Sequence, residues 1–127
     1  MQGKQLFEYA VLRIVPRVER EEFLNVGVIL YCKDQSFLQA IYHLNKERIN
    51  TFCNQLDIEE LENHLKIFDL ICKGGDDAGP IGKLPIAERF RWLTATRSTI
   101  VQTSKVHPGL CTDASETLKK LFNQMVL

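Results

Sequence analysis

The sequence lacks the features that most quickly assign a chain to nucleic-acid, membrane or secreted proteins. It has no net charge, because 16 acidic residues balance 16 basic ones among 127 residues, so no global field attracts nucleic acid or an anionic membrane. No stretch approaches the roughly 20 apolar residues of a membrane span. Glu8 and Arg13 interrupt the apolar run at the N-terminus, so no signal peptide is expected there. The expected location is the cytoplasm.

Signatures of metal binding and catalysis are also missing. Four widely spaced cysteines include no C-x-x-C pair, and in the cytoplasm they are expected to stay reduced. His107 and Cys111 supply only two of the four ligands that a structural zinc requires. Gly74-Gly75 follows a predicted helix and lacks the GK[ST] of a phosphate loop, and no nucleophile elbow accompanies Cys111. No metal, cofactor or catalytic residue is therefore expected, and an enzyme is disfavoured.

The most informative stretch that is present is 88–102. It contains three arginines, the only tryptophan and four hydroxyl side chains. Arginine forks and hydroxyls suit a surface that holds an anionic or polar group. Trp92 lies between Phe90 and Leu93 in the sequence, which predicts a core position for it rather than a base-stacking role.

Charge is unevenly distributed along the chain. Residues 57–77 hold seven acids and two bases, whereas residues 83–105 hold five bases and one acid. The acidic helix and the basic segment are expected either to pair with each other or to form a polarised docking surface.

Three strands are predicted at 6–15, 23–32 and 37–44, joined as an antiparallel meander. The first is apolar on both alternating faces, so it should be central and covered on both sides. Gly27 inside the second strand indicates a bulge or a close backbone approach. A fourth strand is predicted at 97–103.

Helix starts are marked by four residues. Asn45 and Asp57 are candidate caps of two helices, Pro85 opens a short helix over 85–92, and Asp113 caps the last helix. Residues 74–85 are rich in glycine, aspartate and proline and predict a mobile loop that could act as a lid. The order β-β-β-α-α-α-β-α predicts a single α+β domain over 1–127, with an antiparallel sheet of about four strands packed against helices.

Two clusters of polar residues are candidate sites. If the first two strands pair, Arg13 lies opposite residues 24–25, so Arg13 and Asn25 predict the floor of an anion pocket; the alternative is an ion pair from Arg13 to Glu21, Glu22 or the acidic helix. In the second cluster, Arg89, Arg91, Arg97, Ser98 and Thr99 predict a phosphate cradle. Arg89 and Arg91 cannot share one helix face. The alternative is that these arginines bridge to carboxylates and exposed carbonyls. His107 is interpreted as a turn residue.

The chain resembles the bacterial family catalogued as domain of unknown function 3037. The matching blocks are Tyr9-Ala-Val-Leu-Arg-Ile-Val-Pro16, Glu22-Phe-Leu-Asn-Val-Gly-Val28, Arg89-Phe-Arg-Trp-Leu-Thr-Ala95, Arg97-Ser-Thr-Ile-Val-Gln102, Val106-His-Pro-Gly-Leu-Cys111 and the closing helix, 118–126. Thr96 stands where the family leads us to expect proline. The family has no established activity. Its members are often encoded beside HipA-like serine/threonine kinases, which implies a partner or regulator role.

The leading hypothesis is a non-enzymatic binding or accessory protein, with a HipA-like kinase as partner. Its predicted binding surface comprises Arg13, Asn25, Arg89, Arg91, Arg97, Ser98, Thr99 and His107. The first alternative is a sensor or small enzyme for an anionic small molecule, namely a phosphorylated metabolite or nucleotide. The second is a nucleic-acid binder, which the balanced charge disfavours. An exposed strand edge would support a homodimer.

Overall fold

A computed structural model describes residues 3–95 and 99–127. Its strands are β1 (Gln5–Ile14), β2 (Leu24–Cys32), β3 (Phe37–Tyr42), β4 (Val101–Thr103) and β5 (His107–Cys111). Its helices are α1 (Lys46–Phe52), α2 (Ile58–Lys73), α3 (Gly79–Gly82), α4 (Ile86–Leu93) and α5 (Ala114–Met125). The antiparallel sheet packed against helices confirms the predicted α+β class.

The sheet has the order β3-β2-β1, with β4 and β5 both pairing with the far edge of β1. All pairs are antiparallel. The predicted meander and the central position of β1 are therefore confirmed. The interpretation of His107 as a turn residue is wrong, because His107 begins β5 and pairs with Tyr9. The sequence did not predict this strand because it contains Pro108 and Gly109, and proline is tolerated in a sheet mainly at an edge.

β4 and β5 are two parts of one interrupted strand beside β1. Leu12 pairs with Thr103 and Tyr9 with His107, so one extra residue lies between the two parts. Ser104 fills the interruption: its backbone N–H donates to the Val11 carbonyl and its hydroxyl accepts from the Val11 N–H, each at 2.8 Å. A buried backbone donor needs a partner, and the serine hydroxyl replaces the carbonyl that the irregular strand cannot offer.

A bulge at Val26 changes the direction of side chains along β2. Leu12 pairs with Gly27 and Arg13 with Asn25, which leaves Val26 as the extra residue. A Cβ on Gly27 would lie 2.6 Å from the Ile41 carbonyl oxygen of β3. The bulge and the close approach predicted for Gly27 are both confirmed. The approaching backbone belongs to the neighbouring strand, so glycine is needed for sheet packing.

The two faces of the sheet carry separate cores. The α2 and α4 layer packs on one face through residues that include Leu12, Leu65 and Phe90. The α5 layer packs on the other face, where Val28 and Leu118 are buried. Each fully buried large apolar side chain contributes about 1.5–3 kcal/mol, so both layers stabilise the sheet that they share.

The predicted helix caps are confirmed. The Asn45 side chain accepts from the Arg48 N–H, Asp57 accepts at the start of α2, and Asp113 accepts from the Glu116 N–H. Residues 74–85, predicted as a loop, contain a short 3-10 turn and α3.

The predicted fourth strand, 97–103, is shorter than expected. Pairing begins at Val101 and extends to Thr103. Residues 97 and 98 lie outside the described ranges.

Candidate functional site

A cleft of about 240 Å³ lies between α2, the end of α4 and β4, and we call it the Trp92 cleft. Its described lining residues are His64, Ile67, Phe68, Trp92, Leu93, Ala95, Thr99, Val101, Gln102 and Thr103. Apolar side chains from two helices form most of the wall, and threonine and glutamine residues form one rim. This mixture of apolar wall and polar rim is typical of a binding surface.

Trp92 lies at the surface of this cleft. Phe90 and Leu93 are three residues apart and bury the inner face of α4 almost completely, whereas 39% of Trp92 is exposed. The sequence-based prediction that Trp92 belongs to the core is therefore wrong. A helix of eight residues presents only one stripe to the sheet, and Phe90 and Leu93 occupy it. Ile67 (50% exposed) and Leu70 (40%) extend the exposed apolar surface along α2.

The polar rim of the cleft is held by bonds to the backbone. The Thr99 hydroxyl donates to the Val101 carbonyl at 2.6 Å, and the Thr103 hydroxyl donates to the Thr94 carbonyl at 3.3 Å. The Gln102 amide donates to the Thr99 carbonyl at 2.8 Å. Because each of these donors bonds to a backbone carbonyl, neither threonine hydroxyl donates to a side-chain base that could activate it as a nucleophile.

Arg89 ties the end of α2 to α4. Its Nη1 donates to the carbonyls of Ile71 and Cys72 at 2.8 Å, and its Nε donates to the Leu84 carbonyl at 3.0 Å. The last carbonyls of a helix lack partners within the helix, and Arg89 satisfies two of them. Arg89 therefore bonds to backbone carbonyls, which the sequence analysis gave as the alternative to a phosphate cradle.

Arg91 points toward β1 rather than toward the end of α2. Its Nη2 contacts both carboxylate oxygens of Glu8 on β1, at 2.9 and 2.7 Å. This contact confirms that Arg89 and Arg91 serve different faces of α4. More than half of the Arg91 side chain is exposed in this ion pair.

Arg13 and Asn25 meet as predicted at the bulge, where they are paired across β1 and β2. The Arg13 guanidinium stacks 3.9 Å from the centre of the Phe23 ring, and burial lowers the pKa of Arg13. The Asn25 amide donates to the Met125 carbonyl at the end of α5. Among the described residues, Arg13 Nε and Asn25 Oδ1 are buried without a hydrogen-bond partner, and neither side chain lines the Trp92 cleft.

His107 and Cys111 lie at opposite ends of β5. The His107 ring packs on Tyr9, with 5.4 Å between ring centres. Cys111 is buried on the α5 side, and burial together with neighbouring Cys32 raises its pKa. A raised thiol pKa opposes nucleophilic catalysis, and the two side chains do not form a common site. No group of three metal-ligating side chains occurs in residues 3–95 and 99–127.

The acidic and basic segments pair only sparsely in the described part of the chain. Lys83 contacts Asp76 at 3.7 Å, and both side chains are largely exposed. Within α2, Asp69 accepts a 2.9 Å hydrogen bond from the Tyr42 hydroxyl. Burial, together with this bond, raises the pKa of Tyr42 to about 12. The other predicted binding residues of the basic segment, Arg97 and Ser98, lie outside the described ranges, so their place in a site stays a prediction.

Sequence reasoning missed the α2 side of the cleft. Ile67 lies outside the buried stripe of α2, which contains Leu61, Leu65, Phe68 and Cys72. A large apolar residue off the stripe is the signal that could have indicated an exposed contact surface. His64 carries no such signal, since a histidine on a helix is common.

Each helix in residues 3–95 and 99–127 is too short or too polar to span a lipid bilayer. A family model described as "Protein of unknown function (DUF3037)" matches residues 9–126, so the chain belongs to that family. No curated protein and no solved structure matches it.

Proposed function

We propose that this protein is a non-enzymatic binding protein that docks a protein partner at the Trp92 cleft, in the cytoplasm. The observation that carries the proposal is the exposed apolar surface formed by Trp92, Ile67 and Leu70. Tryptophan is enriched among the residues that dominate binding energy at protein interfaces. The polar rim beside it carries threonine and glutamine side chains whose rotamers are held by bonds to the backbone, which lowers the ordering cost of binding.

Protein docking fits the cleft better than binding of a small molecule. Its volume of about 240 Å³ is below the roughly 300–1,000 Å³ typical of small-molecule pockets. Its described lining holds one titratable side chain, His64, and no arginine. Arg89 and Arg91 are directed to backbone carbonyls and to Glu8, so a phosphorylated ligand would find neither of them in this cleft.

A HipA-like serine/threonine kinase is the partner we propose. The support is the family membership together with the kinase neighbourhood that the sequence resemblance to this family implies. In this proposal the protein is an accessory or regulatory subunit, and the Trp92 cleft receives an apolar segment of the kinase surface.

The test is to co-purify the protein with a HipA-like serine/threonine kinase from the same cells and to measure their affinity. Native mass spectrometry should show a complex of fixed stoichiometry. Trp92→Ala should weaken binding about 30-fold, corresponding to about 2 kcal/mol for an interface anchor. Leu110→Ala is the matched control, since Leu110 is also a large exposed apolar residue but lies on β5, away from the cleft.

Arg97→Glu extends the test to the predicted electrostatic part of the surface. The sequence predicts that this reversal abolishes partner binding and leaves thermal stability nearly unchanged. Equal affinity for wild type, Trp92→Ala and Leu110→Ala would remove the cleft from the proposal. Failure of the kinase to bind the wild-type protein would refute the kinase as partner.

A further inference from the structure

The outward face of α2 combines charges of both signs with two exposed apolar residues. Its exposed side chains are Glu59, Glu60, Asn63, Lys66, Ile67, Leu70 and Lys73. Acidic residues occupy the first turn, and lysines occupy the second half of the helix. None of these charged side chains forms an ion pair with another described residue.

The helix dipole explains only part of this pattern. Acids near the N-terminus and cations near the C-terminus of a helix are each favourable by a few tenths of a kcal/mol to about 1 kcal/mol. The dipole gives no reason for Ile67 and Leu70 to be half-exposed between the charged groups. Neighbouring exposed apolar residues flanked by charge indicate a contact surface.

We propose that the outward face of α2 pairs with the same face of a second copy of this chain, with the two helices antiparallel. A two-fold axis passing close to Ile67 places Lys73 opposite the second copy's Glu60 and Leu70 opposite the second copy's Asn63. Lys73 and Glu60 lie on either side of that axis, each about 10 Å along the helix. The same symmetry repeats each contact, so two Lys73–Glu60 pairs flank the axis, where the two Ile67 side chains meet.

Charge complementarity favours a second copy as the occupant. An isologous interface must be complementary to itself, and this face is, because its acidic end meets its basic end when the helix is reversed. The two acids and two lysines of the face also sum to zero charge, which gives a partner of one sign no advantage. With 16 residues, α2 is about 24 Å long. A contact confined to one helix of this length is small beside a standard-size interface, so the dimer should dissociate on dilution.

Sedimentation equilibrium of the full chain over a wide concentration range tests the proposal. The wild type should dimerise reversibly, and Leu70→Asp should be monomeric throughout. Glu60→Lys and Lys73→Glu should each weaken the dimer about tenfold, because each puts like charges together at two symmetric positions. The double variant carrying both reversals restores opposite charges and should regain most of the wild-type affinity.

Lys120→Glu is the matched control. It makes the same charge change at an exposed position of α5, on the opposite face of the sheet, and should leave the dimer unchanged. All substituted residues point to solvent, and circular dichroism melts confirm that each variant is folded. A wild-type protein that remains monomeric at high micromolar concentration overturns the proposal. A dimer that is insensitive to Leu70→Asp, or a double variant no tighter than the two single variants, also overturns it.

The dimer and the proposed kinase contact share Ile67 and Leu70 but are tested at different residues. The charge reversals at Glu60 and Lys73 lie outside the Trp92 cleft and outside the exposed apolar surface proposed for the kinase, whereas the kinase test changes Trp92. Loss of one interaction can therefore be distinguished from loss of the other.

Discussion

The two ends of the contact between α2 and α4 contrast with each other. At the C-terminal end of α2, Arg89 donates hydrogen bonds to two carbonyls of α2 and to the Leu84 carbonyl before α4. In the middle of α2, beside the end of α4, Ile67 and Trp92 leave apolar surface exposed around a cleft. The same two helices thus form a closed structural joint at one end and an open surface at the other.

This contrast shows how residues close together in the sequence acquire unrelated roles. Arg89 and Trp92 are three residues apart, and both belong to the stretch that looked most functional in the sequence. The tertiary structure directs Arg89 to the end of α2 and leaves Trp92 partly exposed. The joint should therefore respond to mutation through stability, and the cleft through binding.

Arg89→Ala is expected to have the largest effect on stability. It removes three hydrogen bonds from a charged donor and leaves carbonyls at the end of α2 without partners, so the free energy of unfolding should fall by about 3 kcal/mol. Urea denaturation measures the change. A loss below about 1 kcal/mol would mean that water replaces the guanidinium readily and that the joint is not closed.

Gly74→Ala should destabilise the same joint by about 2 kcal/mol. Gly74 has φ of 75°, and a Cβ there would lie 2.7 Å from Arg89 Nη1. Gly75→Ala is the control, because Gly75 also has positive φ but nothing lies within 4 Å of a Cβ added there. Gly75→Ala should therefore lower the free energy of unfolding by less than Gly74→Ala. Denaturation of the double variant Gly74→Ala/Arg89→Ala should show a loss smaller than the sum of the single losses, since both changes act on one contact. Strict additivity would contradict this coupling.

Arg91→Ala should have the smallest effect, about 0.5 kcal/mol, because its ion pair with Glu8 is largely exposed. The effect should shrink further as salt is added. Denaturation at low and high ionic strength measures both quantities. A loss as large as that of Arg89→Ala would remove the distinction between a structural and a surface arginine on α4.

Much of the fold was predictable because local rules determine it. Runs of strand-favouring residues between turn signals predicted the three strands of the meander. Asn45, Asp57 and Asp113 marked three helix starts that the structure confirms. The strand at His107 was missed because proline and glycine have low strand propensity, and only its position at the edge of the sheet permits them. The exposure of Trp92 was missed because a short helix has one buried stripe, and tertiary packing selects which residues fill it.

The sequence by itself determined the α+β class, the order of the first strands and the opposition of Arg13 to Asn25. These follow from periodicity, capping and turn chemistry, which act over a few neighbouring residues. Only the tertiary structure decided that Ser104 replaces a strand carbonyl, that Arg89 completes the end of α2 and that Trp92 borders a cleft. Each of these contacts joins elements that are distant in the chain or chooses among the faces of a helix, and side-chain periodicity carries no information on that choice.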